Sequence, residues 1–297
     1  MNVSVIIVNY NTFQMTLNCI NSVFEKTTDI EFEVILIDNA SSDGSKIYFE
    51  KDKRIKYVYS YENMGFGRAN NVGIMLAKGE YILLLNSDTL LINNAIKEFY
   101  DYAEAHDKHY FYGCWLRNKD GQLMHSYGRL PSIRTELLGA GLAYLCHIPF
   151  IKHSKVVESL NDNENIREEE CKNVGYVTGA DMFFHRDVVE KTGWFDHSFF
   201  MYYEECDWQK RAHLHGVKSV VINKPQVTHL QDYGKKPTLR GELMRIKSKK
   251  YYYKKHYNFY SYIAFRISYL ILRFLPVLFE SNYKFAERLI ILKNLIF

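Results

Sequence analysis

Val3-Ser4-Val5-Ile6-Ile7-Val8-Asn9-Tyr10-Asn11 is a short β-branched run that stops abruptly on polar residues. It reads as a buried strand followed by a polar turn. The pattern recurs downstream. Phe32 to Ile37 is a second buried strand, ending in Asp38-Asn39-Ala40-Ser41-Ser42-Asp43-Gly44. Ile55 to Tyr59 is a third, and Tyr81 to Leu85 is a fourth, stopped by Asn86-Ser87-Asp88. Phe111 to Trp115 is a further one. Between them, Phe13, Leu17, Ile20 and Phe24 recur at helical spacing behind a cap at Asn11 or Thr12. The turn Asn63-Met64-Gly65-Phe66-Gly67 leads into a helix reaching Ala77, and Ile92, Ile96, Phe99 and Ala103 mark another. Strands alternating with helices predict an α/β fold with a largely parallel sheet. Ligands of such sheets bind beyond the carboxyl ends of the strands, which puts Asn9, Asp38 and Asp88 on one rim.

The 297 residues allow one large domain or two small ones, and 47% hydrophobic content is ample for a core. A net charge of +4 is too mild to argue for nucleic acid, so no nucleic-acid partner is expected. The five cysteines, Cys19, Cys114, Cys146, Cys171 and Cys206, are odd in number, widely spaced and without a C-x-x-C pair. That argues against a disulfide framework or a zinc ribbon and fits reduced thiols in a cytoplasmic compartment. The apolar run at the N-terminus is too short for a signal peptide or a span and has no basic residues before it.

Residues 126–173 carry no clear pattern, and Asn161 to Glu170 is polar enough to be an exposed loop. Order returns at Val174 to Phe184, with helices near Asp187 to Lys191 and over Glu204 to His215, then a strand-like Val217 to Ile222. Composition shifts to basic and aromatic after about residue 235. There Lys247, Lys249, Lys250, Lys254 and Lys255 precede an apolar stretch, Tyr262 to Phe279, interrupted by Arg266 and Arg273. Two arginines seven residues apart share a helix face and are costly at a bilayer centre, so a helix lying in a membrane interface fits better than a spanning one. The basic cluster would favour anionic lipid. The alternative is a helical hairpin packed on the rest of the chain or on a second subunit of a homo-oligomer.

Several residues carry chemistry, each with a plainer reading beside it. Asp38 at a strand end can accept hydrogen bonds from a nucleobase or ribose, or simply form a turn. Asp88 can hold a hard divalent cation beside a diphosphate, or cap the next helix. Glu204-Glu205-Cys206-Asp207 crowds carboxylates after the aromatic run Phe199-Phe200-Met201-Tyr202-Tyr203. Repulsion and desolvation there raise a carboxylate pKa and suit a general base, whereas a charged helix N-terminus would look the same. His229 alone reads as structural.

Taken in order, Val8-Asn9-Tyr10-Asn11, Ile37 to Ser45, Asn63 to Gly73, Gly79-Glu80-Tyr81, Asn86-Ser87-Asp88, Thr178-Gly179-Ala180, Gly193-Trp194-Phe195-Asp196, Phe199 to Trp208 and His229 form a series. It resembles bacterial glycosyltransferase family 2, most closely the rhamnosyltransferase-like branch for surface polysaccharides, over about residues 3–232. The resemblance implies a GT-A fold: a Rossmann-like, mostly parallel central sheet with flanking helices, here followed by a C-terminal helical extension. It divides the chain into a catalytic domain at 1–235, with a nucleotide-binding half (about 1–115) and an acceptor half (about 116–235), and a tail at 236–297.

The resemblance also implies roles. Asn9 and Asp38 would line the base and ribose pocket, and Asn63, Asn86 and Ser87 would join them at the donor. Gly179 and Ala180 would border the sugar. Asp88 matches the metal-binding acid of the Asp-x-Asp motif, with His229 as a further metal or diphosphate contact and Mg2+ or Mn2+ as the cofactor. Glu205 matches the catalytic base, supported by Glu204, Asp207 and Arg211. Two departures stand out. Asn86 replaces an acid, which weakens the expected metal affinity, and Glu205 replaces the commoner Asp, which lengthens the reach by one methylene. The implied activity is inverting transfer of a sugar, such as rhamnose, from a dTDP- or UDP-linked donor to a hydroxyl of a growing, lipid-linked glycan. The enzyme would work from the cytoplasmic face of the membrane. Two alternatives remain. A sugar nucleotidyltransferase would need a Gly-rich basic loop where Asn9-Tyr10-Asn11-Thr12 stands. A non-catalytic carbohydrate-binding protein would have no need of Asp38, Asp88 and Glu205 together.

Overall fold

The computed structural model describes residues 1–146, 168–230 and 238–297. Its strands and helices follow in the order β1 (Val3–Asn9), α1 (Phe13–Lys26), β2 (Phe32–Asn39), α2 (Ser45–Phe49), β3 (Lys56–Ser60), α3 (Phe66–Leu76), β4 (Tyr81–Asn86), β5 (Thr89–Leu91), α4 (Ala95–Ala105), β6 (Phe111–Cys114) and β7 (Tyr127–Gly128). Then come α5 (Ile133–Leu145), β8 (Cys171–Val174), β9 (Tyr176–Val177), β10 (Asp181–His185), α6 (Asp187–Thr192), α7 (Glu204–His213), β11 (Ser219–Ile222), β12 (Val227–His229), α8 (Leu239–His256), α9 (Phe259–Leu278) and α10 (Phe285–Ile296). The described residues divide into two compact units. The first comprises 1–130, 168–200 and 204–230, and the second 131–146, 201–203 and 238–297.

In the first unit the described strands build an eight-stranded sheet in the order β3-β2-β1-β4-β10-β6-β11-β8. The four strands from β3 to β4 are parallel, β10 runs against β4, and β11 is parallel to β6. The sheet is thus a mixed one around a parallel core, in agreement with the alternating pattern of the sequence. The strand period of two divides the apolar run of β1 between two faces. Val3, Val5 and Ile7 pack with Cys19, Ile20 and Val23 of α1 and with Ile96 and Phe99 of α4. Ile6 packs on the other face with Ala69 and Ile74 of α3 and with Trp208 of α7. Burial on both faces is why these strands read as unbroken apolar runs. Gly73 lets α3 lie directly on β1, since a Cβ there would come within 2.3 Å of Ile6 Cγ2.

Three local expectations change. The helix expected from Ile92 starts at Ala95, because Thr89–Leu91 forms β5 and pairs with β12 in the register His229↔Thr89. Asp88 therefore precedes a strand and caps no helix. Thr12 stands at the N-cap of α1 without capping it through its side chain. Asp43 does that work from the next loop, accepting the Phe13 N–H at 2.8 Å. Of the expected loop Asn161 to Glu170, residues 161–167 lie outside the described residues, as does the expected boundary at 235.

The second unit is helical. Ser132 and Thr135 cap α5 reciprocally, and the Thr238 and Asn258 side chains cap α8 and α9. Ile246, Val277, Tyr283, Ile291, Leu292 and Leu295 form its own small core. Arg266 turns inward, donating to Tyr262 Oη at 3.0 Å and to the Leu295 and Ile296 carbonyls at 3.0 and 2.6 Å. Arg273 lies 3.7 Å from Glu242. The basic cluster is likewise not all surface: Lys249 pairs with Glu136, and Lys250 donates to the Asn294 carbonyl at 2.8 Å. Lys247, Lys254 and Lys255 are exposed.

Candidate active site

Parallel register levels the strand ends: Asn9 pairs with Asp38, and Val8 with Asn86. The rim expected from sequence order is therefore real geometry. Asn9 is fully buried, and its side chain gathers the surrounding loops. Its Oδ1 accepts from Thr12 Oγ1 at 2.8 Å and Thr16 Oγ1 at 2.9 Å, and its Nδ2 donates to Ser41 Oγ at 3.1 Å. Thr12 Oγ1 in turn meets Ser87 Oγ at 3.0 Å, linking the β1 and β4 ends. Asp38 is also fully buried. Its Oδ1 accepts the Ser41 N–H at 2.9 Å and its Oδ2 the Tyr57 hydroxyl at 2.8 Å. Burial, and next that hydrogen bond, push the Tyr57 pKa up, so Tyr57 stays a donor to the carboxylate. Asn9 and Asp38 thus act first as organisers of the rim.

Asn39, which the sequence reading passed over, fastens the next loop. Its Oδ1 accepts the Met64 N–H at 2.8 Å and its Nδ2 donates to Asn63 Oδ1 at 3.0 Å, while Asn63 Oδ1 also accepts the Gly65 N–H at 2.9 Å. Gly65 has φ +82°, and a Cβ on it would stand 2.1 Å from the Phe200 carbonyl oxygen. Phe66 N–H donates to that oxygen at 2.9 Å. The donor-side turn and the aromatic run ahead of Glu205 are therefore joined backbone to backbone. Gly179 makes room for the Phe66 ring, which would lie 2.8 Å from a Cβ there. Ala180 accepts the Asn86 N–H through its carbonyl at 2.9 Å.

The β5–β12 pair carries His229 to Asp88, with Nε2 3.1 Å from Oδ1. The Leu230 N–H donates to the Asp88 carbonyl at 2.7 Å and fixes the approach. A carboxylate and an imidazole side by side at a strand end suit a divalent cation. Asn86 is half-buried, and its side chain makes no hydrogen bond among the described residues. The sequence reading missed Asp181, next to Ala180. It is fully buried, accepting the Cys114 N–H at 2.6 Å through Oδ2, while Oδ1 has no hydrogen-bond partner among the described residues. Burial pushes its pKa up to about 6, against the lowering effects of Cys114 and of His229 nearby.

Glu205 stands in the first turn of α7. Tyr202 and Tyr203, both left-handed at φ 70° and 69°, bring the chain to that turn in a conformation that costs non-glycine residues energy. Burial raises the Glu205 pKa, outweighing the hydrogen bonds of its own and the Cys206 backbone N–H. The helix itself is well seated. Gln209, fully buried, accepts the Val177 N–H and donates to the Val177 carbonyl, both at 2.8 Å. Arg211 bonds Asp207 Oδ2 at 3.0 Å and the Trp194 carbonyl at 2.6 Å, and Trp208 Nε1 donates to Thr192 Oγ1 at 2.8 Å. Asp207 and Arg211 therefore brace α7, and Gln209, absent from the sequence reading, ties it to the strand leading toward Gly179 and Ala180.

The model of the family described as "Glycosyl transferase family 2" matches residues 4–193, which hold the whole rim from Asn9 to Ala180. The chain belongs to this family. Among its relatives, "Glycosyltransferase GlyG" of Streptococcus pneumoniae is 30% identical over 109 residues, 35% of this chain and 36% of that protein. "Low-salt glycan biosynthesis hexosyltransferase Agl10" of Haloferax volcanii is 25% identical over 223 residues, 70% of this chain and 61% of that one. These matches span less than two thirds of the relatives' own lengths. The fold agrees with that of the Pyrobaculum calidifontis mannosyltransferase PcManGT, solved with GDP-Man and Mn2+. The TM-score is 0.56 at 13% identity, covering 93% of this chain and 72% of the other. Staphylococcus aureus TarS 1–349 gives 0.52 at 15% identity, covering 100% and 71%. The family-2 chain thus has the GT-A fold.

The buried Asp181 gives a pH signature. Its folded pKa of about 6 exceeds the ordinary 3.8, so the folded state holds the extra proton between these values and loses stability as pH rises through them. Wild-type protein should therefore weaken relative to Asp181→Asn across that window in urea unfolding. Parallel stability profiles would show that the carboxyl is not held in this environment.

Proposed function

We propose that this family-2 chain is an inverting glycosyltransferase in which Glu205 is the general base. The observation that carries this reading is a half-buried carboxyl in the first turn of α7, its pKa raised by burial, on a helix braced by Gln209 and Arg211. A carboxylate of raised pKa takes a proton from an attacking hydroxyl more readily than an ordinary one. Glu205 would remove the acceptor hydroxyl proton as that oxygen attacks the anomeric carbon from the side opposite the nucleotide, so configuration inverts. Asn9, Asp38 and Asn63 would shape the base and ribose pocket, Asn86 and Ser87 would meet the donor, and Gly179 and Ala180 would border the sugar. Asp88 and His229 would hold Mg2+ or Mn2+, which supplies charge neutralisation for the leaving diphosphate. Glu204, Asp207 and Arg211 would keep the base helix in place.

The donor we propose is a dTDP- or UDP-sugar, with rhamnose as the sugar that the motif series favours, and the acceptor a lipid-linked glycan on the cytoplasmic side. The second unit supports attachment to a membrane surface. Phe259–Leu278 is long and apolar enough to cross a membrane, but its two arginines are bonded within their own unit. Tyr260, Ile263, Ile267, Ile271 and Phe274 are left exposed at helical spacing, a row suited to lying in the interface.

Three tests follow from these residues. Glu205→Gln should cost roughly 10²-fold or more in kcat with donor KM little changed. Wild-type activity should also fall as pH drops through the raised Glu205 pKa; full activity of the variant would remove Glu205 from the role. Asp88→Ala should abolish metal-dependent turnover and Asn86→Ala should be milder, whereas turnover by Asp88→Ala in excess chelator would contradict a metal site there. Finally, Ile267→Asp with Ile271→Asp should reduce co-sedimentation of the full chain with anionic vesicles at low salt. Equal sedimentation of variant and wild type, or none by either, would rule out this row as the anchor.

A further inference from the structure

A second constellation lies at the other end of the sheet and plays no part in the reading above. Strand β10 runs against β4, so its last residue, His185, pairs with Tyr81 at the start of β4, while its first, Asp181, pairs with Leu85 near the rim. Asp187 follows at the start of α6, and His109 reaches the same place from the connection between α4 and β6. His185 Nδ1 is 3.4 Å from Asp187 Oδ2, and His109 Nε2 is 3.7 Å from the same oxygen. One donor atom from each of the three residues lies within 4.8 Å of the other two.

These separations have a meaning in coordination chemistry. Ligands about 2.0–2.2 Å from a tetrahedral metal are roughly 3.3–3.6 Å from each other. The Asp187 carboxylate oxygen already stands at about that distance from both imidazole nitrogens. Behind His109 there is a second carboxylate. Its Nδ1 is 3.5 Å from Asp107 Oδ1, and that oxygen also accepts the His109 backbone N–H at 3.0 Å. A histidine with one nitrogen toward the ion and the other toward a carboxylate is the arrangement that fixes tautomer and ring direction in metal sites. The His185 ring is held edge-on by Tyr81, with centroids 5.0 Å apart, and by His109 at 6.0 Å. His185 is buried, and burial lowers its pKa; Lys108 and His109 add to that, while Asp187 and Glu80 oppose it. The His185 Nδ1 now accepts the Asp187 backbone N–H at 3.2 Å, a long bond that ligation would replace.

We propose that His109, His185 and Asp187 form a binding site for a nitrogen-seeking divalent transition ion of the zinc class, distinct from the Asp88–His229 pair. Two imidazoles and one carboxylate suit zinc, cobalt or nickel; magnesium and calcium prefer all-oxygen sets. A solvent molecule would complete the tetrahedron. The bound ion would staple the α4–β6 connection to the β10–α6 junction, so its effect is on the stability of the first unit.

The experiment uses the full, untagged chain carrying Asp88→Ala, which silences the proposed donor-side metal site. Zinc is titrated calorimetrically, and thermal unfolding is followed with and without zinc, and with magnesium as the control. The Asp88→Ala protein should take up one zinc and unfold at a higher temperature with it, while magnesium does neither. Adding His109→Ala, on a partly exposed side chain, or Asp187→Asn should abolish both zinc effects and leave metal-free unfolding unchanged. No zinc uptake by the Asp88→Ala protein, or the same uptake and shift after His109→Ala and Asp187→Asn, would overturn the proposal.

Discussion

The buried carboxamide of Asn9 is the constraint on which the candidate site depends. A buried polar side chain at the end of a strand costs about 1–3 kcal/mol for each donor or acceptor left unmet. Asn9 avoids that cost by drawing Thr12, Thr16 and Ser41 around it. Ser41 then meets Asp38 through its backbone, and Thr12 meets Ser87. Three parallel strand ends become one connected surface before any ligand is present. Preorganisation of this kind is what a site that stabilises developing charge requires.

The same logic extends outward through backbone contacts. Asn39 holds the 63–65 turn, and Gly65 lets that turn touch the Phe200 carbonyl without a side chain between them. Phe200 lies five residues ahead of Glu205 in the sequence, so the donor-side turn meets the aromatic run at Phe200. One turn along α7 from Glu205, Gln209 bonds both the N–H and the carbonyl of Val177. Among the described residues, the Glu205 carboxyl has no basic partner.

Much of this was legible in the sequence because parallel strands buried on both faces leave unbroken apolar runs. Polar punctuation at Asn9, Asp38 and Asn86 marks where they end. The motif series singles out Asp88, His229 and Glu205, and the structure sets the first two side by side. Less legible were residues whose part depends on a partner distant in the chain. Asn39 sits inside the Ile37 to Ser45 motif, and its part depends on the 63–65 turn that its side chain holds. Gln209 and Asp181 look like an ordinary helix residue and an ordinary strand residue, and only the packing of α7 on β9 and the burial of β10 distinguish them. The β5–β12 pair was hidden because three residues are too short for a periodic signal. The inward turn of Arg266 was hidden because two of its acceptors are the last carbonyls of α10, 29 and 30 residues away.

The central claim is that this rim and Glu205 transfer a sugar from a nucleotide, and the products formed from nucleotide sugars test it most directly. The purified full chain is incubated with dTDP- and UDP-sugars, manganese or magnesium, and a lipid-linked glycan acceptor, and the nucleotides are separated by ion-exchange chromatography. Free nucleoside diphosphate should form with wild-type protein and be suppressed by chelator. Formation of nucleoside triphosphate and sugar 1-phosphate on adding pyrophosphate, or binding of every donor with no diphosphate released, would contradict it.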